Sequence, residues 1–384
     1  MHRIPPPGPP QAPAREARID SWSSYWRQGA LHSCAGSFSG NYAGPLSDFW
    51  RARFAALPSH ARVLDACCGN APLSHLLATS PAFAGSAIRI DAVDLAEVDP
   101  PWLRGLSQTL ASRIRIHAGV DVAMLPFDAG SFDLCMSQYG VEYVGVAAAA
   151  ELRRVLAPGG CMAAVLHHAE GLPARIAREE IEHARWLDEV GLVRLAEQLI
   201  PAMALAGSEE GRRALRADAD ANDRRARFNG CLQRLEARVQ GARFPDLLVE
   251  TRDALMAILG QARQEGERAA RQRLEAWQRE FERALLRQRE LVEHALDEQG
   301  LRAWLAPLSG LQGADGRAAV QAWRDRRLEP RGPGCRLALG GGRAARGPAR
   351  SGRRACGPRS PCPRPDGGPG AVPRPERAGC ARRR

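Results

Sequence analysis

The chain has 384 residues, 45% of them hydrophobic, enough for one large domain with an appendage or for two domains. Its formal net charge of +11 would ordinarily suggest nucleic acid. Residues 331–384 alone hold 14 arginines against Asp366 and Glu376, so the rest of the chain is close to neutral, which argues against a nucleic-acid-binding body.

No lysine occurs, so all 54 basic residues are arginine; with 38 Gly and 28 Pro this is the usage of a GC-rich coding sequence. The ten cysteines show no paired metal-ligand spacing, and the adjacent Cys67 and Cys68 are poorly placed to bridge one another. No metal site and a reducing, cytoplasmic compartment are therefore expected. Cys135 and Cys161 fall in predicted strands and read as small buried hydrophobes. The N-terminus is proline-rich and lacks an apolar signal-peptide core. No apolar run approaches the ~20 residues that cross a bilayer.

Residues 1–18 read as a disordered arm. Residues 19–57 gather Trp22, Tyr25, Trp26, Phe38, Tyr42, Phe49, Trp50 and Phe54 around a Gly- and Ser-rich loop. They read as a cap, which either covers the sheet edge or forms a lid over a bound cofactor. The stretch from Arg62 to Pro72 organises the rest of the chain. Val63 and Leu64 end a short buried strand, five small or turn-prone residues succeed them, and Pro72 suits the first turn of a helix. A turn without bulky side chains lets a ligand approach the backbone, and the helix N-terminus offers unpaired N–H groups.

A second strand over 87–95 ends at Asp94, where an acidic residue can accept both hydroxyls of a ribose. A third covers 114–117, with Asp121 beyond it. A fourth covers 132–136, with a turn through Ser137 and Gln138 after it. A helix over 147–156 stops at Pro158-Gly159-Gly160. A fifth strand covers 161–166, with His167 and His168 just past its end. The alternation predicts a doubly wound, mainly parallel α/β sheet. Asp65, Asp94, Asp121, Gln138 and His167 all fall at its carboxyl edge, where such sheets bind ligands.

Over about residues 50–168, under a third of the chain, the sequence resembles a class I S-adenosylmethionine-dependent methyltransferase. Five motifs carry the resemblance in order: Val63-Leu64-Asp65 with Gly69, then Asp94, then Asp121 before Leu125-Pro126-Phe127, then Ser131-Phe132-Asp133, then 152–160 ending in Pro158-Gly159-Gly160. It implies a Rossmann-like fold and S-adenosyl-L-methionine as cofactor. It implies that Asp65, Ala66, Cys67, Gly69 and Asn70 lie beside the cofactor's amino-acid moiety and that Asp94, with Leu95, binds the ribose hydroxyls. It further implies that Asp121 accepts from the adenine amino group beside Val122, and that Ser137 and Gln138 line the cavity near the methionine part. Cys67 and Ala71 stand where the family usually has glycine.

Methyl transfer is an in-line displacement at a sulfonium carbon, in which positioning the nucleophile and excluding water do much of the work. A protonated acceptor also needs a general base. His167 and His168 are the candidates, with Glu142 and Tyr143 behind them. The expected activity is methyl transfer to a small-molecule acceptor. The alternative is a catalytically inactive methyltransferase-like scaffold that binds a protein partner through its helical arm. A nicotinamide oxidoreductase is disfavoured because the first turn lacks the full Gly-x-Gly-x-x-Gly pattern.

Residues 173–310 read as a helical subdomain. One helix runs over 174–199 and ends at Pro201, a second over 209–239 with an interruption at Gly230, and a third from Pro245 towards Gln299. Leu274, Trp277, Phe281, Leu285 and Val292 stripe the third, packing within the chain or in a coiled-coil homodimer. The family closes its sheet with two further strands; residues 301–311 are the nearest approach to one. From residue 331 the composition is Arg, Gly, Pro, Ala and Cys without period, expected to be disordered and resembling GC-rich DNA read out of frame. Residues 331–384 have no aromatic for base stacking, which disfavours a nucleic-acid arm.

Overall fold

The computed structural model describes residues 15–33 and 40–309. The Ser37–Phe38 stretch of the cap and the whole of 331–384 therefore lie outside the described residues. Helices α1 (Arg15–Arg27) and α2 (Gly44–Ala55) precede the sheet. Next come β1 (Arg62–Ala66), α3 (Pro72–Ala78), α4 (Pro81–Ala84), β2 (Arg89–Asp94), α5 (Gln108–Ala111), β3 (Ile114–Ala118), β4 (Phe132–Gln138), α6 (Val146–Val155) and β5 (Leu156–Val165). Helices α7 (Leu172–Val190), α8 (Leu192–Leu205), α9 (Glu209–Ala217), α10 (Ala219–Gly241), α11 (Asp246–Glu265), α12 (Glu267–His294) and α13 (Glu298–Leu305) complete it.

The five strands are all parallel, in the order β3-β2-β1-β4-β5. Order reverses at β1, so the crevice outside the carboxyl ends of β1, β2 and β4 is the natural ligand position. Each face has its own core. Val63, Ile90, Leu134 and Met136 meet α2 and α3 through Trp50, Phe54, Leu73 and Leu77. Leu64, Ala66, Val93 and Cys135 meet α6 and α13 through Leu152, Val155 and Trp304. The central strands β1, β2 and β4 are buried over most of their length, as expected where helices cover both faces of a parallel sheet. Phe132 sits on the α6 side while Leu134 sits on the other, and the β4–β5 register shifts between them. Such an irregularity re-aims the remainder of the strand.

Several boundaries differ from those the sequence predicts. Helix α1 begins at Arg15, inside the stretch that reads as an arm. Strand β4 runs on through Ser137 and Gln138 rather than turning there, and β5 begins at Leu156, so Pro158-Gly159-Gly160 lies within it. Pro201 does not end a helix but lies inside α8; the break falls at Gly191, whose φ of 67° only glycine adopts cheaply. Burial of the neighbouring Leu199 and Ile200 outweighs the hydrogen bond the proline forfeits. Gly230 is absorbed into α10, and the break comes earlier, where Asp218 accepts from the Ala221 N–H as a cap. The long third helix divides at Gly266, φ 85°. Residues 301–305 form the end of α13 rather than the approach to a strand.

The helical region has its own core, in which Leu199, Ile200, Leu235, Leu255, Leu259 and Leu274 are buried together. Trp277, Phe281 and Leu285 of the α12 stripe pack against it within the chain, while Val292 packs at a second cluster with Ala174 and Ala177. Helix α12 also carries α1. Arg18 Nε reaches Glu290, Arg283 pairs with Asp20 at 2.8 Å, Arg287 Nη1 donates to Ser21 O at 2.9 Å and Ser24 Oγ donates to Glu280 at 2.9 Å. After α12 the chain returns to the sheet: Leu296 N donates to His167 O, and Ala169 N donates to Leu296 O. This isolated parallel bridge, between His168 and Leu296, lies just past the carboxyl end of β5.

Candidate functional site

Residues 67–71 connect β1 to α3 through a left-handed path. Cys67, Gly69 and Ala71 have φ of 55°, 54° and 52°. Among the described residues the non-glycine positions with positive φ are Cys67, Ala71 and Tyr139, and all three stand at this edge. Each costs on the order of 1–2 kcal/mol, and such strain persists where the surroundings over-determine it. Here they do. Cys68 N donates to Val93 O at 2.9 Å, and Ser137 Oγ donates to Ala66 O at 2.8 Å, tying the turn to β2 and β4. Gly140 faces the Cys67 Cβ so closely that a side chain there would collide.

Asp65 is buried beneath α3, where its Oδ2 accepts from Ser74 N at 3.1 Å and Ser74 Oγ at 2.6 Å. Burial pushes its carboxyl up to about 7 against the pull of those two bonds. Asp94 accepts from Gly69 N at 2.7 Å and from Ala96 N at 2.8 Å, and burial likewise raises it. Asp121 accepts from Ala123 N at 2.9 Å and pairs with the exposed Arg15 at 3.3 Å. Val122 is buried and Leu95 half-buried. Asn70 is 1% exposed and donates to Trp26 O and Ala30 O, while its Oδ1 has no partner. Gln138 turns to the α2 face, where its Oε1 accepts from Trp50 Nε1 at 2.5 Å. Ser137 and Gln138 thus spend their side chains bracing the scaffold.

The two histidines separate. His167 Nδ1 lies 2.7 Å from Glu142 Oε1, which also accepts from the His167 N–H at 3.2 Å. Glu142 is 1% exposed and His167 6%. Tyr139 stacks on the imidazole with centroids 4.3 Å apart, and Tyr143 meets it edge-on at 6.1 Å. A carboxylate on Nδ1 fixes the proton there and leaves Nε2 as the free lone pair. No hydrogen bond reaches that Nε2 among the described residues. His168 instead closes a local turn, its Nδ1 accepting from Glu170 N at 2.9 Å.

Sequence position alone ranks Glu142 low, as a helix-start residue, and does not mark Trp26 as part of the site. The Trp26 ring covers Gly69 and stacks on Trp22 at 5.8 Å. Its only signal in the sequence is membership in the aromatic cluster. Trp102, whose Nε1 donates to Asn70 O at 2.8 Å, carries none beyond its place after Pro100-Pro101.

Electrostatics set what fits. Burial drives the Cys67 thiol well above its ordinary value, and the charges of Asp94, Glu142, Asp121 and Asp65 add to that, in this order. Four carboxylates therefore converge on one turn. A pyrophosphate on this helix N-terminus would meet all four, whereas a cation is attracted to them. The unpartnered Asn70 Oδ1 and Glu142 Oε2 are both acceptors, which also suits a ligand with positively charged or N–H groups.

Residues 63–160 match a family profile described as a methyltransferase domain. No curated protein matches the chain. Among solved structures, geranyl diphosphate C-methyltransferase from Streptomyces coelicolor A3(2), in complex with Mg2+, geranyl diphosphate and S-adenosyl-L-homocysteine, is similar at 16% identity and a TM-score of 0.33, over 42% of this chain and 67% of that one. The [4+2]-cyclase SpnF matches at 21% identity and 0.28, over 38% and 56%. A putative sarcosine dimethylglycine methyltransferase from Galdieria sulphuraria matches at 18% and 0.28, over 39% and 58%.

Proposed function

We propose that this chain, which carries a class I S-adenosylmethionine-dependent methyltransferase domain, transfers the methyl group to a small-molecule acceptor, with His167 as general base and Glu142 as the residue that orients it. The buried Glu142–His167 pair beside the strained turn is the observation that carries this reading.

In this reading Asp94 holds the ribose hydroxyls through the lone pairs its two backbone bonds leave free, and Asp121 faces the adenine with Val122. Asp65 and the 66–70 backbone receive the amino-acid end, and Glu142 Oε2 adds negative charge near the cationic centre. The cofactor supplies an electrophilic methyl group on a positively charged sulfur. The protein then has to orient the nucleophile, exclude water and remove a proton. His167 Nε2 takes that proton as the acceptor attacks, and Glu142 stabilises the imidazolium. Helix α1 is the cover, since Trp22 and Trp26 close the turn from one side and α12 holds the helix in place.

The test is a panel of hydroxyl, amine and carboxylate acceptors incubated with labelled cofactor and the full chain. Label should pass to a small molecule. Label that appears only on protein or nucleic acid, or no transfer to any acceptor by a chain that binds the cofactor, would contradict the reading.

A further inference from the structure

The helical region has a cleft of about 660 Å3 between the first turns of α7 and the end of α10. It lies beyond residue 160, where the methyltransferase-domain match ends. Four arginines line it, Arg175, Arg178, Arg238 and Arg243, with Glu179, Glu182 and His183. Arg178 also lies 3.8 Å from the exposed Glu170, outside the cleft, but the four arginines still outnumber the two lining carboxylates. Glu179 Oε1 is committed to the backbone N–H groups of Arg243 and Phe244, at 2.8 and 3.0 Å, and Glu182 is exposed to solvent.

Two of the lining residues carry buried N–H groups without a hydrogen-bond partner. Arg175 makes no ion pair among the described residues, and its Nε is buried and unsatisfied. His183 is 4% exposed. Arg238 Nε donates to its Nδ1 at 3.1 Å, which places the ring proton on Nε2. That Nε2 stands 3.5 Å from Glu179 Oε1 without a hydrogen bond. Burial and the neighbouring Arg238 hold the imidazole below its usual range, against the opposing pull of Glu179 and Glu182. Leaving a buried donor unpaired costs on the order of 1–3 kcal/mol. Two of the arginines are also fixed in advance. Arg178 Nη2 donates to Ala169 O at 2.6 Å, and the Arg238 guanidinium lies over the Trp186 ring at 5.0 Å.

A cleft with surplus guanidinium charge and unpaired donors calls for a ligand made of acceptors. Guanidinium forks match phosphoryl and carboxylate oxygens bidentately, and the volume suits a small molecule. We infer that the cleft between α7 and α10 binds a small polyanion, a metabolite bearing phosphoryl or clustered carboxylate groups, at a site separate from the methyl-transfer centre.

The experiment is calorimetric titration of the full chain with inorganic pyrophosphate and with citrate at physiological ionic strength. The same titrations are run on Arg175→Gln/Arg243→Gln and, as a control, on Arg216→Gln/Arg225→Gln, which removes two exposed arginines outside the cleft. At least one anion should bind saturably, and the tighter of the two identifies the ligand's anionic group. The cleft variant should lose about tenfold or more in affinity, with the control, the melting temperature and S-adenosylhomocysteine binding unchanged. Absence of saturable binding, equal binding by the cleft variant, or an equal loss in the control would overturn the inference.

Discussion

The turn at the carboxyl edge of the sheet and the cleft between α7 and α10 leave opposite kinds of atom unsatisfied. Around the turn the unpaired groups include the acceptors Asn70 Oδ1 and Glu142 Oε2, with the donor Gln138 Nε2 turned to the α2 face. In the cleft they are donors, Arg175 Nε and His183 Nε2. The turn collects four carboxylates and the cleft four guanidiniums. A near-neutral body thus holds two local fields of opposite sign, and net charge alone reveals neither. The atoms that burial leaves without partners decide which ligand each region takes.

The largest effect that would sharpen this contrast is chemical. His167→Ala should lower kcat/KM by about a hundredfold or more, while S-adenosylhomocysteine affinity, measured by calorimetry, stays within about threefold. Near-normal turnover would remove His167 from the mechanism. Gly69→Ala should come next. It places a side chain at φ 54° and into the Trp26 indole, so cofactor affinity should fall by at least about tenfold. Adding Trp26→Ala should recover part of that loss if the indole is the obstacle; no recovery would place the damage in the backbone alone.

Asp94→Ala should weaken the cofactor by about tenfold, the worth of a charged hydrogen bond, and unchanged affinity would refute its ribose role. Protons give a further handle. A cation binds best to the ionised Asp65, whose folded pKa is about 7. Affinity for the sulfonium cofactor should therefore rise several-fold between about pH 6 and pH 8 and level off above, and Asp65→Asn should flatten the profile. For the ligand-free protein the sign is reversed. Between the ordinary carboxylate range and about 7 the folded chain binds more protons than the unfolded one, so stability should fall as pH rises. Urea melts at three pH values would read this. The smallest effect is at the turn itself: Cys67→Gly and Ala71→Gly should each stabilise by about 1 kcal/mol, because glycine removes the left-handed penalty.

The parallel sheet is legible in the sequence because short apolar strands, the central three largely buried, alternate with helical periods. The acidic edge is legible because Asp65, Asp94 and Asp121 each stand at or just past the carboxyl end of a strand. The strain at Cys67 and Ala71 is foreshadowed by side chains where glycine is usual. Other features depend on long-range contacts that no local pattern encodes. Glu142 matters because His167, 25 residues on, folds back to it. Trp26 matters because α12 holds α1 over the turn. Helix boundaries elude the sequence where local chemistry is ambiguous. Asp218 caps a helix start where Gly230 looks like the breaker, and Pro201 is tolerated because its neighbours are buried.

The most direct measurement is a calorimetric titration of the full chain with S-adenosylmethionine and S-adenosylhomocysteine, with NADH as control. An acidic turn built for a cationic adenosyl ligand predicts saturable micromolar binding of the first two and none of the pyrophosphate-bearing dinucleotide. Binding of NADH at the turn, abolished by Gly69→Ala, or no binding of either adenosyl ligand, would contradict it.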